Sequence, residues 1–180
     1  MHNESLRVRL KSSLLIFLQD LAQDWKSVLL FFLPILAVLI YIDSSFYTDI
    51  GFLQFHSMDE YAFYGSLLRM YGGLAHGPMT DLFNFGFYNY GFIFFLVNLL
   101  TVSPFIILHN TVMAIIMPRL VTSFFALLAL IYIYKFCRIY LTKTASYLIV
   151  LISAVMPSFW VNATWLHPDW MMAAFLIASI

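Results

Sequence analysis

Gly91-Phe92-Ile93-Phe94-Phe95-Leu96-Val97-Asn98-Leu99-Leu100-Thr101-Val102-Ser103-Pro104-Phe105-Ile106-Ile107-Leu108 is the stretch on which the fold of this chain turns. Its 18 residues carry no charge and are long enough to cross a bilayer. Asn98, Thr101, Ser103 and Pro104 interrupt it, however, as they would in a segment that lies in the interface or re-enters. Whether it crosses sets the side of the membrane on which every later residue falls.

The rest of the chain shares its character. Apolar residues make up 63% of the sequence and charged residues 10%, with a mean hydropathy of +0.89. A water-soluble domain of this length could not hide so much apolar side chain, so the bilayer has to act as solvent. The net charge is zero, and no basic patch or tail is present to bind nucleic acid. The lone Cys137 excludes an intramolecular disulfide.

Downstream of the opening stretch, spans are expected from about Arg119 to Tyr134 and from about Ala145 to Val161, and another begins at Trp170. That last run, WMMAAFLIASI, stops in mid-span, so the chain, residues 1–180, is expected to be the N-terminal part of a larger polytopic membrane protein. Upstream, residues 48–90 form a long outer loop. Ser57-x-x-Glu60 has the form of a capping box opening a helix to about Tyr71, with Gly72-Gly73 as its stop. The aromatic, glycine-broken run Phe83 to Tyr90 suits backbone at the headgroup level. Before the loop come a first span, about Val28 to Tyr47, and an amphipathic helix built on Leu14, Phe17, Leu18, Leu21, Ala22 and Trp25. The expected fold is therefore all-α: a polytopic transmembrane helical protein with an interfacial N-terminal helix and membrane-parallel helices in the first outer loop.

Charge selects the topology. If 91–108 crosses, Arg7, Arg9, Lys11, Lys26 and Arg119 lie inside and the other four basic residues outside, which is hardly a bias. If it does not, Lys135, Arg138 and Lys143 move inside and only Arg69 and Arg119 remain outside, seven against two, as the positive-inside rule expects. The second arrangement puts the N-terminus in the cytoplasm. It also places Asp59-Glu60 and His167-Pro168-Asp169 together on the non-cytoplasmic face.

Carboxylates beside lipid are costly and point to function. Asp59 could take a proton from a substrate hydroxyl. Glu60 has a competing use, reaching back to the Ser57 amide as the second half of the capping box, and for Glu60 that use is the better supported. Asp169 could simply start a helix, or His167 and Asp169 could face a cavity and bind sugar, phosphate or an ion. Arg119 could fork onto a phosphate or snorkel to headgroups, the commoner case. Tyr90, with Tyr88 and Trp165, could stack on a sugar ring or sit in the interface belt. His56, Asp59, Glu60, His167 and Asp169 are of types that ligate a divalent cation, but their spacing matches no local metal motif, so the cofactor stays open.

In their order along the chain, Met58-Asp59-Glu60-Tyr61, Tyr88-Asn89-Tyr90-Gly91, Pro118-Arg119-Leu120-Val121 and His167-Pro168-Asp169 resemble the GT-C membrane glycosyltransferases. The closest likeness is to the protein O-mannosyltransferase and aminoarabinose-transferase group. That resemblance implies transfer of a sugar from a polyprenyl- or dolichyl-phosphate donor to an acceptor hydroxyl on the outer face. Asp59 would act as base or acceptor-orienting carboxylate, with Glu60 assisting. His167 and Asp169 would shape the site, and Arg119 would hold the leaving phosphate. Two departures are visible: Tyr88-Asn89-Tyr90-Gly91 stands where many relatives have a proline-rich step, and 91–108 is unusually apolar. The alternatives are a transporter or flippase for a lipid-linked substrate and a non-catalytic membrane subunit.

Overall fold

The computed structural model describes residues 57–179, apart from the side chains of Trp160 and Val161, together with Gly51, Leu53 and Gln54. The expected N-terminal amphipathic helix, the span Val28–Tyr47 and His56 lie outside the described residues. Every regular element among those described is helical, so the all-α expectation holds. The elements are α1 (Met58–Ala75), a short α2 (Thr80–Phe83), a 3-10 turn (Tyr88–Tyr90), α3 (Phe92–Ile107), α4 (Thr111–Tyr140), α5 (Lys143–Val155), α6 (Pro157–Thr164) and α7 (Asp169–Ala178).

The long helix α4 organises the rest. It opens eight residues earlier than its apolar run suggests, because the Asn110 side chain caps it by accepting the Met113 amide at 3.0 Å. It closes where Leu141 turns extended, with the Arg138 guanidinium donating to the Leu141 carbonyl at 2.8 Å. Arg119 therefore lies within this helix rather than at the start of a span. Among the described residues α4 is the one continuous helix long and apolar enough to cross a membrane.

The apolar run expected as a single span over 145–161 is two helices. Thr142 caps α5, Met156 is extended, and Pro157 opens α6 after a bend of 65°. Proline has no amide to continue the α5 ladder and disfavours helical backbone in the residue before it, so the break falls where the chemistry requires. The pair runs antiparallel to α4. Tyr147 meets Tyr134 near one end, with ring centroids 4.7 Å apart, and Ser123 donates to the Ala163 carbonyl at 2.7 Å near the other. The chain then reverses, and α7 follows α4 in the same direction, with Ala174 packed beside Leu128 and Ala129. Small residues at these crossings, among them Ser123, Ala126, Ala129, Ala163 and Ala174, let the backbones come close.

Helices α1 and α3 form a second core with the start of α4. Phe63, Tyr64, Leu67 and Met70 of α1 meet Phe94, Phe95, Leu99 and Val102 of α3, together with Ala114 and Ile115 from the first turns of α4. Two expectations change here. α1 does not stop at Gly72-Gly73 but runs through both to Ala75. Gly73 is a point of close approach: a Cβ there would fall 2.7 Å from the Asp81 Cβ and 2.8 Å from the Leu82 amide nitrogen of α2. The aromatic run after α2 is likewise only partly peripheral. Phe85 is buried against Phe95 at 4.8 Å, and Phe87 lies 4.8 Å from Phe63. Gly91, at φ 80° and ψ 148°, turns the chain from the 3-10 segment into α3 through a conformation that suits glycine.

Candidate functional site

Glu60 stands in the first turn of α1, and its carboxylate points into the protein. Arg119 donates through Nε to Oε1 at 2.6 Å and through Nη2 to Oε2 at 3.0 Å. The two residues are 3% and 1% exposed. A third donor, the Leu166 amide, reaches Glu60 Oε1 at 3.1 Å. The two-pronged fork matches the planar guanidinium to the planar carboxylate, and the extra amide occupies a further lone pair, as a buried carboxylate requires.

The capping box is therefore absent. Among the described residues no side chain caps α1 and none binds the Ser57 hydroxyl, and the Ser57 amide donates instead to the Leu53 carbonyl at 2.8 Å. Arg119 neither snorkels to headgroups nor presents an open fork to a phosphate, because it is buried and its Nε and Nη2 face Glu60. Asp59, the neighbour of Glu60, is exposed at the same helix start.

The segment 163–169 is held against α4 by hydroxyls. Ser123 binds the Ala163 carbonyl, and Thr122 Oγ1 receives the His167 amide at 3.4 Å and lies 3.4 Å from the His167 carbonyl. These anchors fix the half-buried His167 ring. Phe63 and Tyr90 meet it edge-on, at centroid distances of 5.6 and 6.3 Å. Its Nδ1 lies 3.2 Å from Asp169 Oδ2, within ion-pair range but off the line of a hydrogen bond. Asp169 opens α7, where the positive end of the helix dipole favours an anion. On the buried face of α1, desolvation pushes the Tyr64 phenol above its usual range.

All four sequence motifs thus meet. Glu60 and Arg119 touch directly, Glu60 binds the residue before His167, and Tyr90 faces the His167 ring. Asp59 stands at the rim and Asp169 beside His167. Among the described residues no group of three metal-ligating side chains gathers. Sequence reading missed Thr122, Ser123, Phe63 and the Leu166 amide. A hydroxyl pair within an otherwise apolar run was the available signal for Thr122 and Ser123. No family model, curated protein or solved structure matches this chain.

Proposed function

We propose that this chain belongs to a multi-pass membrane glycosyltransferase that moves a sugar from a polyprenyl-phosphate donor to an acceptor hydroxyl on the non-cytoplasmic face. The observation that carries the reading is the clasp of Glu60 with Arg119 and the Leu166 amide. Through it, the exposed Asp59, the His167–Asp169 pair and Tyr90 are gathered at one end of the helices that run alongside α4.

The chemistry divides among these groups. Asp59 takes the proton of the acceptor hydroxyl as its oxygen bonds to the anomeric carbon, and the bond from that carbon to the lipid phosphate breaks. The electron pair leaves with the phosphate. Tyr90 and His167 form the aromatic and polar wall on which a sugar ring would rest, with Asp169 orienting the imidazole. Glu60 and Arg119 position Asp59 and take no part in bond making.

Topology supports the same reading. Arg119 and Arg138 are separated by nineteen residues of one helix, about 28 Å and close to the thickness of a hydrocarbon core. Lys135, Arg138 and Lys143 cluster around the α4–α5 turn, at the end remote from the site, as a cytoplasmic turn would.

The test is Asp59→Asn in the full-length protein, offered radiolabelled polyprenyl-phosphate hexoses and pentoses one at a time. Transfer should fall about 10²–10⁴-fold while abundance and folding are unchanged. Undiminished transfer at equal abundance removes Asp59 from catalysis.

A further inference from the structure

α3 is built inside out for a helix in water. Asn98 is 0% exposed and packs inward with Phe94, Phe95, Leu99 and Val102. Its amide donates to the Phe94 carbonyl at 2.9 Å, Thr101 donates to the Asn98 carbonyl at 2.9 Å, and Ser103 donates to the Leu99 carbonyl at 2.6 Å. These polar groups turn back onto their own helix. The outward stripe is Ile93, Leu100 and Ile107, spaced seven apart and 61%, 65% and 63% exposed. It continues at the turn into α4 with the exposed Leu108 and Val112. No charged residue lies between Asp81 and Arg119.

We propose that this stripe is a lipid-binding face, covered by acyl chains, so that α3 is seated in the membrane beside α4. Two observations favour lipid over another helix. Where α6 and α7 meet α4, the contacts use Ser123, Ala126, Ala129, Ala163 and Ala174, residues that permit close approach. The outer stripe of α3 holds bulky branched side chains and none of these. The Thr101 and Ser103 hydroxyls also donate within the helix, the condition a hydrocarbon surround imposes and water does not, while the Asn98 Oδ1, the one side-chain oxygen of the three that finds no hydrogen-bond donor, is buried on the inward face. At 16 residues, about 24 Å, α3 is shorter than a full span, so it enters one leaflet without crossing. This inference rests on the membrane placement proposed above and not on the transfer chemistry.

Nitroxide labels at Ile93→Cys, Leu100→Cys and Ile107→Cys, in a Cys137→Ser background, test it in phosphatidylcholine vesicles. Leu151 on α5 and Thr144 in the α4–α5 turn serve as references. Collisions with oxygen should exceed those with a water-soluble nickel chelate at all three α3 sites and at Leu151, and the order should reverse at Thr144. Nickel access at the α3 sites, or low access to both reagents, overturns the proposal, the first in favour of water and the second of protein. If Leu151 remains lipid-exposed in either case, the membrane placement stands and the α3 assignment alone falls. If Leu151 also favours nickel, both fall. The cysteine variants give a second measure that does not depend on the bulky label: a membrane-impermeant maleimide should react about tenfold more slowly at the α3 sites than at Thr144→Cys. Equal rates overturn the proposal.

Discussion

At the scale of the residue, the decisive pair is Glu60 and Arg119. The Glu60 carboxylate is tolerable in the interior because the Arg119 guanidinium faces it, so removing the guanidinium leaves the carboxylate buried without that counter-charge. Arg119→Met should cost on the order of 3–5 kcal/mol, while adding Glu60→Met to it should recover part of that loss, because the stranded carboxylate is then gone. Thermal unfolding of the two single variants and the double variant in one detergent checks this, and a double variant showing the sum of both losses would refute the coupling. Arg119→Lys should also destabilise, since an ammonium cannot reproduce the two-pronged fork. The sequence marked both residues as unusual, one acid and one base in apolar surroundings, but not as partners. They lie 59 positions apart, and no local periodicity reports a contact made only in three dimensions. Ser57-x-x-Glu60 misled for the same reason: a buried guanidinium draws the carboxylate more strongly than the Ser57 amide, which the Leu53 carbonyl already occupies.

At the scale of the element, glycines in one helix separate packing from propensity. Gly65 in α1 would have nothing within 4 Å of an added Cβ, whereas Gly73 would drive one into the Asp81 side chain and the Leu82 backbone. Gly65→Ala should therefore stabilise α1 by about 0.5–1 kcal/mol through helix propensity. Gly73→Ala should destabilise by about 1–3 kcal/mol by pushing α2 away. Unfolding midpoints of the two variants should move in opposite directions, and a shared direction would mean that α2 does not press on α1 as described. Caps and a proline in the sequence mark element boundaries that hydropathy alone did not find. Asn110, Thr142 and Pro157 each sit at an observed boundary, and reading hydropathy alone across Pro157 made one span of two helices. The passage of α1 through Gly72-Gly73 was not legible, because glycine at a helix end and glycine at a helix contact look alike until the neighbouring element is in place.

At the scale of the whole molecule, four short motifs spread over 110 residues come to one end of one helix, and that convergence gives the topology its force. Their order along the chain suggested a shared site; what brings them together is the antiparallel return of α5 and α6 along α4, which carries His167 back to the level of Thr122. The same return separates the site from Lys143 by the length of a span. Single cysteines at Thr144 and at Asp169, in the Cys137→Ser background, should therefore be modified by an impermeant reagent from opposite sides of sealed vesicles. Asp169→Cys should react with Asn89→Cys, and Thr144→Cys should react only after the vesicles are opened or inverted. Were 91–108 to cross the bilayer, Asp169 and Thr144 would exchange sides and the site would be cut in two, with Asn89 and Asp169 reacting from different faces. With α4 and the α5–α6 pair each crossing, that alternative would also set Tyr90 and His167 on opposite faces, although their rings lie 6.3 Å apart, so the labelling result at Asn89 and Asp169 decides between the two.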